Sequence, residues 1–97
     1  MTSLLIPDTT PDLYAQSGKS EPMVYAIFTD SRTGWYWLVT EYSPSERRAF
    51  GLVIGWESEL GYFDLPELEQ NGVYNLPHST PEPLSVVRAR LEQEDNE

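Results

Sequence analysis

Trp35-Tyr36-Trp37-Leu38-Val39-Thr40-Glu41-Tyr42, followed after a turn by Ala49-Phe50-Gly51-Leu52-Val53-Ile54-Gly55-Trp56, is the stretch that decides the fold. Both runs are dense in β-branched and aromatic residues, which fit a pleated, half-buried surface. Period two sends Trp35, Trp37 and Val39 to one face, and Tyr36, Leu38, Thr40 and Tyr42 to the other. In the second run Phe50, Leu52, Ile54 and Trp56 make a heavy face. Ala49, Gly51, Val53 and Gly55 make a small one, against which a helix or the N-terminal arm is expected to lie close. Ser43-Pro44-Ser45-Glu46-Arg47-Arg48 turns the chain between them. Upstream, Met23-Val24-Tyr25-Ala26-Ile27-Phe28 reads as a further strand, and Asp30-Ser31-Arg32-Thr33-Gly34 has hairpin-loop composition. The three runs predict an antiparallel meander.

Downstream the pattern changes. Asp64-Leu65-Pro66-Glu67 reads as a helix start, with Asp64 as N-cap, Pro66 in the first turn and Glu67 completing a capping box. Leu65 and Leu68 would face the sheet, and Asn71-Gly72 would end the helix. Val73-Tyr74-Asn75-Leu76 offers a short fourth strand. Thr80 is a second N-cap, and Leu84, Val87 and Leu91 repeat at helical spacing, which predicts a helix from about Pro81 to Glu92. The expected fold is α+β: a three-stranded or four-stranded antiparallel sheet with two short helices. An extended arm over 1–22, one domain over 13–92 and an acidic tail over 93–97 complete the organisation.

Composition bounds the function. The 97 residues hold 16 Asp+Glu against 6 Lys+Arg, a net charge of −10, and no Cys. A nucleic-acid binder needs a cationic surplus to displace counterions, so direct nucleic-acid binding is not expected. Without Cys there is no disulfide framework, thiolate metal site or Cys nucleophile. No apolar run approaches the roughly 20 residues that span a bilayer, and Leu4-Leu5-Ile6 before Pro7 is too short for a secretory segment. A cytoplasmic protein with no membrane association is expected. Of 38 apolar residues, 23 lie between Met23 and Leu68, so the core belongs to the middle of the chain.

Catalytic signals are weak. His78 is the only histidine, in Leu76-Pro77-His78-Ser79-Thr80-Pro81, with no nucleophile paired to it by any motif. Glu57 and Glu59 lie two apart and would share a face of an extended segment, as paired acid and base carboxylates do in glycosidases, but a chain this short hardly builds a sugar cleft. No calcium loop or phosphate loop is present, and no cofactor is expected. A small enzyme using His78 with Glu57 or Glu59 is the least favoured reading.

The charge is uneven. Residues 1–56 carry a net −2 and residues 57–97 a net −8, and Glu57, Glu59, Asp64, Glu67 and Glu69 have no positive charge between them. Held on an ordered segment, these five would form an acidic face presenting a phosphate-like field to a basic protein surface. Trp35 and Trp37 are candidate aromatic anchors should their face be exposed.

The segments Trp35-Tyr36-Trp37 to Thr40-Glu41, Ala49 to Gly55, and Glu59-Leu60-Gly61-Tyr62-Phe63-Asp64-Leu65-Pro66-Glu67-Leu68 resemble an uncharacterised family, domain of unknown function 2958, over about Leu13 to Leu91. Gly-Leu-Val-Ile-Gly and Glu-Leu-Gly-Tyr-Phe are the most specific parts. The chain departs from the family pattern in a short, proline-interrupted stretch between Asn71 and Pro83. The resemblance implies a place among the cargo of plasmids, integrative elements and phages, and brings no catalytic residue with it. With the charge pattern, it implies a small acidic interaction module acting as an anti-defence inhibitor, anti-CRISPR or antirestriction, that occupies a basic nucleic-acid-binding surface as a DNA mimic. The partner would be a host or defence-system protein. The alternative is a homodimer or accessory subunit pairing through an open sheet edge.

Overall fold

A computed structural model describes residues 4–77 and 81–95. Its elements run β1 (Met23–Val24), β2 (Ala26–Asp30), β3 (Trp35–Ser43), β4 (Arg48–Ile54), β5 (Ser58–Asp64), α1 (Leu65–Gln70), β6 (Tyr74–Leu76), β7 (Glu82–Pro83) and α2 (Leu84–Asp95). The meander of β2, β3 and β4 is present, but it is the centre of a larger sheet. Five antiparallel strands lie in the order β5-β4-β3-β2-β6, and β1 pairs with β7 in a separate two-stranded ribbon.

Two corrections follow. Ser58–Asp64, to which the sequence pattern assigns no element before the helix start at Asp64, is a strand and pairs with β4 along its whole length. Its polar Ser, Glu and Gly residues disguise it because an outer strand buries little; only Phe63 is fully inside. The run from Met23 to Phe28 is also two strands. Tyr25 separates them, its N–H donating to the Val39 carbonyl at 2.8 Å, and the chain pairs on either side with different partners. The short strand at 74–76 does form, against β2.

Both faces of the sheet are covered. On one, Phe28, Trp37, Val39, Ala49 and Phe63 meet Leu65 and Leu68 of α1, with Leu4 of the arm. On the other, Ile27, Leu38 and Leu52 meet Val24 and, from α2, Val87 and Leu91. The small face of β4 does receive a helix and the arm, as its composition implies. Two-sided burial explains why β2 is buried at all five positions rather than alternating.

The β3–β4 ladder shifts register between Val39 and Glu41, leaving Thr40 as the extra residue of a bulge. Side-chain parity inverts there. Tyr42, expected beside Leu38, packs instead with the Trp37 and Val39 face, while Glu41 opposes Phe50 on the α2 side. Gly51 pairs with Val39 beside the bulge, where a Cβ would stand 1.7 Å from the Leu38 carbonyl oxygen. Glycine is required there by backbone contact.

Helix ends depart from their sequence signals. Asp64 is the N-cap residue of α1 but makes no cap bond; its carboxylate accepts from Arg48 Nε at 2.9 Å instead. Gly72, at φ +80°, ends α1 as expected. α2 begins three residues later than anticipated, and Thr80 lies outside the described residues. Its first turn is held by Glu21, whose carboxylate accepts from the Ser85 N–H at 3.0 Å and from the Ser85 hydroxyl. Those two bonds hold the Glu21 carboxyl below its usual range.

Gly51→Ala is expected to lower stability by about 3 kcal/mol or more, because backbone must move to admit the methyl. Gly61→Ala, where a Cβ meets nothing within 4 Å, is expected to stay within about 0.5 kcal/mol. Urea denaturation of the two variants checks both values.

Candidate aromatic and acidic interface

Gly55 follows the last residue of β4 and lets the chain turn close against an indole. A Cβ on it would sit 2.8 Å from the Trp35 ring. Trp35 is thereby wedged between backbone and Trp37, with ring centroids 6.2 Å apart. The next side chain, Trp56, has left the strand and stands edge-on to Trp35 at 6.5 Å with an interplanar angle of 84°. It exposes 92 % of its surface. Trp56 rises between two shallow depressions: one of about 350 Å³ lined by Trp35, Val53, Glu57 and Glu59, the other of about 740 Å³ lined by Arg32, Thr33, Gly34 and Ile54.

The anchor assignment is corrected accordingly. Trp37 exposes 9 % and belongs to the core; Trp35 is half-buried and supports a neighbour. The exposed indole is Trp56, which the alternation pattern had placed with Phe50, Leu52 and Ile54. β4 stops at Ile54, so the pattern no longer applies. Gly55 before it and Glu57-Ser58 after it were the available signal of a turn.

The five acids are divided by the sheet. Glu57 and Glu59 line the same depression beside Trp56, and Glu67 is exposed on the first turn of α1. None of these three has an ion-pair partner among the described residues. Asp64 pairs with Arg48 across the β4–β5 ladder and points to the opposite face from Glu59. Glu69 is largely buried and takes both guanidinium nitrogens of Arg47, at 3.0 and 2.8 Å, together with the Leu4 N–H at 2.8 Å. These bonds, Arg47 first, hold its carboxyl below the usual range, and Glu69 in turn raises the Arg47 guanidinium. Asp64 and Glu69 are therefore both paired with arginines, and of the five acids three are open.

Cations are equally committed. Arg32, Arg47, Arg48, Arg88 and Arg90 each pair with a carboxylate, which is five of the six basic residues. His78 lies outside the described residues, so no chemistry at it is described. Among the described residues no three His, Asp or Glu side chains gather where they would hold a metal ion, and no helix is long and apolar enough to cross a membrane.

Glu69→Gln is expected to cost about 1–3 kcal/mol, since it leaves Arg47 without its bidentate partner. Gln at 57, 59 or 67 should change stability by less than about 0.5 kcal/mol. A carboxyl depressed in the folded state contributes stability above its unfolded pKa, near 4.3, and loses it as pH falls through the folded value. Thermal melts of the wild type should therefore drop steeply below about pH 4.5, and the drop should be shallower in Glu69→Gln.

The chain matches no family model, no curated protein and no solved structure, so the resemblance to domain of unknown function 2958 rests on its quoted segments alone.

Proposed function

We propose that this chain is a small acidic protein-interaction module that acts stoichiometrically on a basic surface of its target. The observation carrying the proposal is Trp56: a fully displayed indole, braced by Trp35, with unpaired Glu57 and Glu59 at its foot. An exposed tryptophan on a rigid support is the residue type that dominates interface energetics, since it delivers large apolar area at small entropic cost. Unpaired carboxylates around it steer a basic partner and set orientation. Glu67 adds a third charge from α1. Charge opposes direct nucleic-acid binding, because nearly every cation is already engaged in an ion pair.

The resemblance to mobile-element cargo supports the setting: an anti-defence inhibitor, anti-CRISPR or antirestriction, that covers a nucleic-acid-binding surface. The DNA-mimic form of this reading now rests on Glu57, Glu59 and Glu67 rather than on five acids.

Trp56→Ala and the triple change of Glu57, Glu59 and Glu67 to Lys should each leave the melting temperature within a few degrees, because none of the four residues is buried. Pull-down from host cytosol at low salt should recover a basic nucleic-acid-binding protein with the wild type, and lose it with either variant. Recovery that is indifferent to both variants and to salt would refute the proposal.

A further inference from the structure

The two edges of the five-stranded sheet are treated differently. β6 is three residues long, and Leu5 of the arm closes on it: the Leu5 N–H donates to Asn75 Oδ1 at 2.8 Å, and Asn75 Nδ2 returns a bond to the Leu5 carbonyl at 2.9 Å. β5 has no such protection. It is seven residues long, without Pro, Lys or a bulge, in regular register with β4, and among the described residues no segment pairs with its outer side. Natural edges of this length are ordinarily blunted by one of those devices.

The faces of β5 differ in chemistry. Leu60 and Tyr62 share the α2 side, where α2 itself does not reach them; they expose 60 % and 49 % of their surfaces. Tyr62 is fixed between Phe50 at 4.9 Å and Tyr14 at 6.4 Å, both edge-on. Between this pair of rings and the arm runs a groove of about 310 Å³, bounded further by Ser17, Gly18 and Lys19. Glu59 projects from the opposite face of the same strand, the α1 side, with no ion-pair partner among the described residues.

We infer that β5 is a strand-addition edge: it accepts an extended segment of the partner protein in which apolar and basic residues alternate. Main-chain hydrogen bonds to β5 supply the attachment. The apolar side chains of the added strand settle over Leu60 and Tyr62 and into the groove beside Tyr14. Its alternate residues emerge on the other side, where Lys or Arg meets Glu59. Specificity then follows from period two, since a block of basic residues cannot satisfy both faces at once. A second copy of this chain is the poorer occupant. Antiparallel self-pairing about Gly61 would bring together two molecules of charge −10 and place Glu57 and Glu59 of both on neighbouring strands with no added cation. The inference rests on the basic-partner reading above and shares Glu59 with it, but its apolar anchors are Leu60 and Tyr62 rather than Trp56.

The test uses the full chain and synthetic capped peptides of about nine residues: one alternating Lys and Val, one with the same composition in two blocks. Titration calorimetry should show the alternating peptide binding at least about tenfold more tightly, with Leu60→Lys and Glu59→Lys each reducing that affinity by a similar factor. Because both residues are exposed, the variants should fold, and peptide-side variants guard against failure. N-methylation of one alternate set of peptide amides should abolish binding, and of the other set should leave it intact, since only one set faces β5. Equal binding of the two peptides, or equal effects of both methylation patterns, would overturn the inference. So would sedimentation as a dimer that Leu60→Lys converts to monomer, because the edge would then belong to a second copy. Trp56→Ala should retain peptide binding, so failure of the target pull-down and failure of the edge are read separately.

Discussion

The register shift at Thr40 is the constraint on which the seating of the arm and the groove along β5 depend. Had β3 run regularly, Glu41 would point into the core of Trp37, Val39 and Phe63, an environment with no partner for a carboxylate. One extra residue turns it to the other face. There its oxygens accept from the backbone N–H groups of Tyr14 and Gln16, both at 2.7 Å. Thr40 itself donates its hydroxyl to the Phe50 carbonyl, and its own carbonyl accepts from Gln16 Nε2. Gln16 then bridges to both backbone groups of Met23. The bulge thus fixes the N-terminal arm, and the arm sets Tyr14 beside Tyr62 to form the wall of the groove along β5.

Carboxylates near the middle of this molecule act as fasteners for strained backbone. Two non-glycine residues among those described have left-handed φ, Tyr14 at 73° and Arg47 at 49°. Each costs on the order of 1–3 kcal/mol in isolation. Each is also tied to an acid: Tyr14 through its N–H to Glu41, and Arg47 through its side chain to Glu69. Charge-assisted bonds of this kind are roughly twice as strong as neutral ones, enough to hold such conformations in place. The acidic surplus therefore has two populations. Glu41, Glu69 and Glu21 hold backbone N–H groups of the fold and Asp64 makes a surface pair with Arg48, whereas Glu57, Glu59 and Glu67 face solvent with no ion-pair partner among the described residues.

How much of this was legible in the sequence depends on which residues alternate strongly. The central strands declared themselves because Trp35 to Val39 and Phe50 to Ile54 are apolar on both faces, and α1 because Leu65, Pro66 and Asn71-Gly72 mark its ends. Ser58–Asp64 did not, since an edge strand needs only one buried anchor and Phe63 supplies it. The two-stranded ribbon is too short to carry any period. At the candidate site, Glu57 and Glu59 were identifiable from spacing. Trp56 was misassigned because period two was carried one turn past the end of β4. The roles of Asp64 and Glu69 depend on Arg48 and Arg47, more than fifteen residues away in sequence, and local pattern contains no information on such pairings.

The same geometry explains why the β4–β5 end of the sheet is left exposed. A sheet whose two faces are each covered by one short helix has little cover to distribute. α1 follows β5 directly and must fold back over the Phe63 side, while α2 arrives from the β1–β7 ribbon near β2. The arm meets β6 at Leu5 and β3 at Tyr14 and Gln16, walling one side of the β5 groove, while the turn between β4 and β5 stays uncovered. What remains there is Trp56 at the turn, Leu60 and Tyr62 along the edge, and the unpaired Glu57 and Glu59. An apolar ledge and an uncovered strand would ordinarily invite self-association. The glutamates placed among them make like-charged copies repel, which opposes self-association at this edge and, on the reading proposed above, selects for basic partners.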